Sequence, residues 1–477
     1  MERNIEEMFS SIARQRPALK KLVAGLRERF AYASVLAVAD DNRGWSVSQS
    51  GRSVITGSSM GGCGYVVRVF DGTGCAEYSF NEFSAKKIPE IIRKVEETAA
   101  AQAKNCGGTV SPLPTPVPAD EPAVLRRKTR FRTDPRSLSD REIIDRITAI
   151  REKGLKTEGL LDFMCRVSYR AYRKIFISEN RDLDQTVMWT VASMVAMASR
   201  DGEIKDYYRS FSGLGGIEVL DRAEAAVGDM ASVALELLDS RPMVPGEYDC
   251  ICDPDVTGMI VHEAFGHGVE MDMFVKDRAL AAYCVGDRVA SDLVSMHDGS
   301  AVDEVATAYF DDEGSLTSDT LIIDKGILKS GMCDSLSAAR LGTSPTGNGR
   351  RESYERKAYT RMTNTYFEKG RSTLAGMIKS VKYGFLLENP TSGMEDPKNW
   401  GIQCMVNIAR EIKDGKLTGR IFSPIVLTGY VPDLLRSVSA MGRDVRLGGG
   451  GYCGKGYKEW VKVSDGGPCM KARIRLG

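Results

Sequence analysis

The stretch VHEAFGHGVE, residues 261–270, places two of the chain's three histidines five positions apart, with a glutamate directly after the first. Imidazole nitrogens bind first-row metals and a neighbouring carboxylate can act as a base, so His262, His267 and Glu263 point to an ion that activates water. The pattern His-Glu-x-x-x-His is one residue longer than the metallopeptidase pattern His-Glu-x-x-His, in which one helix face carries both ligands. In a regular α-helix, residues four apart are displaced by about 40° and residues five apart by about 140°. On that geometry His262 and His267 face away from each other. One turn widened to i→i+5 hydrogen bonding restores the alignment, and such π-bulges occur mostly at functional sites. Gly266 is the residue best suited to ease the distortion, because it has no Cβ. The spacing therefore predicts a π-bulge within residues 259–270, with Glu263 pointing away from the ligand direction and placed to take a proton from water.

Catalytic zinc usually has three protein ligands and keeps one position open. Two residues could supply the third. Glu270 follows His267 by three positions and could reach back to the same side, whereas Cys453 lies in LGGGGYCGKGY, behind four consecutive glycines. Zinc takes thiolate readily, and a glycine run lets the backbone approach a metal or an extended substrate closely, so Cys453 is favoured and Glu270 is the alternative. The third histidine, His297 in VSMHDGS, reads as an ordinary surface or turn residue and is given no role.

The elements around the motif explain how it is held. YDCICDPDV reads as a short buried strand followed by a helix capped at Asp253, with Pro254 at the first helical position, where a missing N–H does no harm. Upstream, CGGTVSPLPTPVPADEP (106–122) has five prolines and two glycines and reads as a linker or extended crossing. On either side runs the order helix, antiparallel strands, helix. The second unit opens with a capping box at Ser139 and Glu142 and contains a hairpin turned at Asp201-Gly202. The pattern predicts an α+β N-terminal domain, residues 1–240, of two similar halves (about 1–105 and 123–240), and a mostly antiparallel β domain, 241–477, that carries the motif on its one convincing helix.

Bulk properties exclude several classes. Sixty-five basic residues against 64 acidic ones give no electrostatic reason to expect nucleic acid or anionic lipid as a partner. No apolar run is long enough to span a membrane. The charged amphipathic N-terminus lacks the apolar core of a secretory signal, and eleven scattered cysteines read as reduced thiols, so a cytoplasmic protein is expected.

HEAFGHGVEMD, GNGRRESYERKAYTRMTN, YFDDEG with GILKSGMCD, and the closing GYCGKGY and VSDGGP together resemble the TldD/PmbA family of zinc metallopeptidases. The match runs in order across the second domain, while the N-terminal half agrees in layout only. The resemblance implies one zinc ion per chain held by His262, His267 and Cys453, with Glu263 as the base. It also implies a dimer, either of this chain alone or with a paralogue that lacks the motif, this chain being the catalytic subunit. Tyr457 and Lys458 depart from the pattern after the cysteine, where a small residue and an amide are expected.

These readings lead to a zinc-dependent peptidase acting on unfolded or small peptides. Oxyanion and substrate contacts are expected from the backbone of Gly450 and Gly451 or from Arg361. The competing reading is a non-catalytic interaction protein with a structural or vestigial metal site, against which the intact Glu263 argues. A metal-dependent amidase on a non-peptide substrate fits the same residues.

Overall fold

A computed structural model describes residues 5–56, 62–70, 74–106, 116–456 and 459–477. The N-terminal region forms one eight-stranded sheet: β1 (Tyr32–Ser48), β2 (Gly51–Thr56), β3 (Gly62–Phe70), β4 (Cys75–Phe80), β5 (Ala123–Lys128), β6 (Leu160–Ile177), β7 (Arg181–Arg200) and β8 (Glu203–Leu214). Its order is β4-β3-β1-β6-β7-β5, with β2 on β1 and β8 on β7. The two sequence halves meet at β1 and β6, an antiparallel pair running from Val35–Ile177 to Val47–Cys165. Asp201 and Gly202, both at positive φ (53° and 86°), make the two-residue turn between β7 and β8, as the Asp-Gly pair predicts. Of the expected linker, residues 107–115 lie outside the described residues, as does the turn at 71–73 between β3 and β4.

Helices α1 (Ile5–Arg14), α2 (Arg16–Arg27), α3 (Ile88–Cys106), α4 (Asp140–Leu155), α5 (Val219–Ala225) and α6 (Val227–Leu237) complete this region. The capping box at α4 is formed: Glu142 N–H donates to Ser139 Oγ at 3.3 Å and Ser139 N–H to Glu142 Oε2 at 2.7 Å. Strand periodicity sorts the sheet into two faces. Val35, Ala37, Val67 and Val69 pack in one cluster with Leu19, Leu22, Ile147 and Met230 of the helices. Leu36, Val38 and Val66 point the other way, into a cluster with Phe310 of the C-terminal region.

That second contact is polar at its rim. Glu313 pairs with Arg68 of β3, Asp312 with Lys174 of β6, and Arg351 with Glu77 of β4. Gln185 of β7 donates to Phe310 O and accepts from Tyr309 N–H, both at 2.8 Å. Gly314, at φ +80°, has to be glycine: a Cβ there would lie 2.2 Å from the Phe176 ring. The YFDDEG segment thus seats the C-terminal region on the sheet.

In the C-terminal region β9 (Gly246–Cys252), strands 470–476, 425–430, 401–413 and 383–396 pair in succession, and 383–396 pairs with both β9 and 401–413. The ring of five strands therefore closes on itself. A second sheet includes strands 296–299, 319–324, 364–367 and 464–467. The observed class is α+β with a β-rich C-terminal region, as expected. Besides the motif helix, short helices lie at 335–341, 374–379 and 431–436, two of them capped by Asp334 and Thr373. The sequence reading missed them because one or two turns are too short to develop a helical periodicity.

Candidate metal centre

β9 leads into α7 (Pro254–Ile260), whose cap Asp253 accepts from Val256 N–H at 2.8 Å with Pro254 in the first turn. Residues 261–266 then form a π-helix, closed by the His267 N–H donating to His262 O five residues back. The widened turn that the spacing predicts is present. Its consequence is that the rings of His262 and His267 converge, their centroids 5.0 Å apart and their planes at 89°. Gly266 is needed for more than dihedral freedom, because a Cβ there would stand 2.3 Å from Met362 Sδ.

Cys453 reaches the same point from strand 452–455, with its Sγ 3.4 Å from His267 Nε2. One ligand atom from each of His262, His267 and Cys453 can be chosen so that all lie within 4.8 Å of one another. An ion held at about 2.0–2.3 Å from nitrogen and sulfur ligands requires donor atoms about 3.5 Å apart, so this donor set fits zinc with little movement. Burial alone would oppose a thiolate at Cys453, but the two imidazoles outweigh it and hold the thiol well below its ordinary range. Burial likewise works against an imidazolium at His267. The charges of Cys453 and Glu270 override it and push that ring well above its usual value, so binding a metal here releases protons.

Glu270 faces a different atom. Its Oε2 lies 3.1 Å from His267 Nδ1, on the far side of the ring from Cys453. The carboxylate therefore orients the ring and its tautomer from the Nδ1 side, away from Nε2 and Cys453, and Glu270 is not part of the convergent donor set. Lys455 anchors it, donating to Glu270 at 2.9 Å, to Asp272 at 2.6 Å and to Thr360 O at 3.0 Å. Despite burial, Lys455 and His267 keep the Glu270 carboxyl far below the usual carboxylate range.

Arg361, expected as a substrate contact, sits elsewhere. Its side chain is 1% exposed and its guanidinium donates to the carbonyls of Cys453 and Glu459. It braces the cysteine strand, and its one unpartnered donor, Nε, is buried 4.0 Å from Glu270 Oε1. Gly450 packs against Ser210, where a Cβ would be 2.3 Å from the hydroxyl, while Gly451 is exposed with open space around it. Tyr457 and Lys458 lie outside the described residues. His297 is neither on the surface nor in a turn. It is 8% exposed on strand 296–299, bonded to Asp319 and Glu368 and stacked on Tyr366, which makes it structural.

Glu263 is partly exposed, and its carboxylate accepts no hydrogen bond from a described residue. Gly393 of strand 383–396 lies against it, with room for no side chain: a Cβ would meet Glu263 Cγ at 2.5 Å. Two positions along, Glu395 accepts from Gly268 N–H at 3.2 Å, and burial raises its carboxyl to about 8, with Glu263 adding to the rise. Asp465 lies 3.8 Å from His262 Nδ1. Sequence reasoning missed these supports. Lys455 was within reach of it, since residues two apart on a strand share a face and Cys453 was already singled out. Glu270 likewise follows His267 by one helical turn. For Glu395 no sequence signal exists.

A model of the PmbA/TldA metallopeptidase C-terminal domain matches residues 245–473. Among curated proteins, the chain is 35% identical over 241 residues to a metalloprotease TldD homolog of Buchnera aphidicola, covering 50% of each chain. It is 29% identical over 263 residues to a zinc metalloprotease TldD homolog of Saccharolobus solfataricus, covering 54% of this chain and 58% of that one. The matched stretches span from half to about two thirds of the length of such relatives, 66% at most among the first three. In fold, TldE from Thermococcus kodakarensis superposes with a TM-score of 0.73 over 96% of this chain and 100% of that one, at 17% identity. The resemblance carried by the sequence motifs and the match over residues 245–473 agree: this stretch is a PmbA/TldA metallopeptidase C-terminal domain.

Proposed function

We propose that the chain is a zinc-dependent peptidase acting on unfolded or small peptides, with one zinc per chain held by His262, His267 and Cys453 and with Glu263 as the catalytic base. The observation that carries this is the convergence of two imidazoles and a thiol across a π-turn, beside a carboxylate that no described residue engages. When bound, zinc supplies a Lewis acid for the scissile carbonyl and brings the pKa of water in its reach towards about 7.

The chain's own groups do the rest. Glu263 takes a proton from the attacking water and returns it to the leaving amine. Glu270, held by Lys455, keeps His267 oriented through Nδ1. Among the described residues, 389–396 of strand 383–396 pair only with strand 401–413, which leaves the other edge of this stretch to accept an extended peptide as an added strand near Glu263. Backbone recognition of this kind gives broad specificity. Gly451, exposed in the loop before Cys453, is the remaining backbone candidate for a substrate contact.

The reading treats residues 1–240, with two similar halves, and 241–477 as two domains. The partner we propose is a second chain of the same fold, identical or lacking the motif, which the likeness to TldE supports. Neither nucleic acid nor membrane is part of it, and no helix among the described residues is long and apolar enough to cross a bilayer. Cytoplasmic residence suits the ten cysteines whose side chains are described, none of which forms a disulfide.

Metal content and peptide hydrolysis test it together. Glu263→Gln is expected to keep its zinc and lose about 10²–10⁴-fold in rate. Cys453→Ala is expected to lose zinc; retention would reopen the question of the third ligand. A wild-type protein that binds zinc and, with its partner chain, cleaves no peptide would favour an interaction module.

A further inference from the structure

Four residues before Cys453 are glycines, and a thiol at the end of such a run is well placed only if something else restrains the backbone. The restraints are visible one by one. Gly448 pairs with Asp465 of strand 464–467. Gly449 N–H donates to Ser212 Oγ at 2.8 Å, and Gly450 lies directly on Ser210, both serines belonging to β8 of the N-terminal sheet. Gly450 O accepts from Lys462 Nζ at 3.0 Å.

Lys462 is the unusual member. It is 4% exposed, and its ammonium stands 4.4 Å from the centre of the Tyr452 ring and 5.3 Å from that of Trp189 on β7. It forms no ion pair with a described residue. Burial outweighs the pull of Glu304 and Asp465, which stand beyond ion-pair distance, and lowers its pKa to about 7, so an apolar side chain of similar length would fill the space at less cost. What the apolar side chain could not do is bind the Gly450 carbonyl while lying against ring faces from two different regions.

Resting on the zinc reading above, we propose that Lys462 is a positioning residue for the metal thiolate: it clamps the glycine loop between the Tyr452 ring and the Trp189 ring, and so fixes where Cys453 presents its sulfur. The N-terminal sheet is then part of the metal centre's support, through Trp189, Ser210 and Ser212. Lys462 touches neither the ion nor the substrate.

Zinc affinity of the full chain, measured by competition with a chromophoric chelator, and the thiolate-to-cobalt absorption band of the cobalt-loaded protein are the readouts. Lys462→Met is expected to weaken zinc binding about 10–100-fold and to shift or weaken the cobalt band, as loss of an outer support does. Lys462→Arg, which keeps charge and ring contact, should recover most of the affinity, and Lys416→Met, at an exposed strand end, should leave both readouts unchanged. If Lys462→Met does not fold, Trp189→Leu and Ser212→Ala test the clamp from the sheet side with the same expectation. Wild-type affinity and an unchanged band in these variants would overturn the proposal and leave the peptidase reading standing. A wild-type chain that binds no zinc would overturn both, and one that binds zinc but cleaves no peptide would sink the peptidase reading alone.

Discussion

Two buried charged clusters stand out in the C-terminal region, built from the same kinds of residue and put to different ends. One is the run Asp311-Asp312-Glu313 with Arg351. The other is the motif His262-Glu263…His267…Glu270 with Cys453 and Lys455. In the first, every carboxylate is engaged. Asp311 accepts from the N–H groups of Glu313, Ser315 and Gly349, Asp312 from Arg351 N–H with Lys174 alongside, and Glu313 from Ser335 with Arg68 alongside. In the second, Glu270 is engaged but the groups facing inward are not. Apart from the Glu270 contact at His267 Nδ1 and Asp465 beside His262 Nδ1, the two imidazoles and the thiol converge on one another, and the Glu263 carboxylate accepts no hydrogen bond from a described residue. The difference teaches that charge and burial alone do not mark a site. An acidic run whose partners are complete is structural cement, whereas converging donors left incomplete are where an ion and a substrate complete the set.

The largest effect that could break this contrast comes from the cement. Arg68 lies between Glu77 and Glu313, and Arg68→Met leaves both carboxylates short of a cation in a buried setting. Removing one partner of a buried pair costs about 3–5 kcal/mol, so a marked fall in the denaturant midpoint is expected, with zinc affinity of the folded protein unchanged. The opposite result, weakened zinc binding at unaltered stability, would mean that the two clusters are one system.

The sequence made the second cluster legible and left the first obscure. Histidines at an unusual spacing announced a distorted turn because helix geometry admits few ways to align residues five apart, and the π-turn at 261–266 is the one found. Caps at Asp253 and Ser139 and the turn at Asp201-Gly202 were legible for the same reason, since each rests on local stereochemistry. What joins distant strands was not. Nothing in YFDDEG says that its acids meet Arg68 and Lys174, more than a hundred positions away, and nothing near Arg361 says that its guanidinium faces inward to the Cys453 carbonyl. His297 misled because its neighbours Asp298 and Gly299 suggest a turn, while its real environment is set by Asp319, Glu368 and Tyr366.

Glu270 sharpens the comparison from within the metal cluster. It is the one acid there treated like those of the cement, fully buried and held by Lys455 and His267. Glu270→Gln keeps the shape but removes the charge that orients His267, and a fall of about 10–100-fold in zinc affinity is expected from chelator competition, with a smaller stability change than Arg68→Met. An unchanged affinity would show that the π-turn alone orients the ring.

The smallest effect is the pH dependence of the cement. Burial would raise the Glu77 carboxyl, but Arg68 and Arg351 outweigh it and hold it far below the ordinary carboxylate range. Asp312 is likewise held low, Lys174 overcoming burial. A carboxyl depressed in the folded state binds fewer protons there than in the unfolded chain. Its stabilising contribution is therefore present above the unfolded pKa, about 4 for Asp or Glu, and is lost as pH falls from there towards the folded value. Thermal unfolding followed from neutral to acid pH is thus expected to fall off below about pH 4. Glu77→Gln should lower the plateau and flatten that acid arm, because the group whose protonation drives part of the loss is gone. An acid arm as steep in the variant as in the parent would move the acid sensitivity away from the seam between sheet and β-rich region, and the cement would no longer account for it.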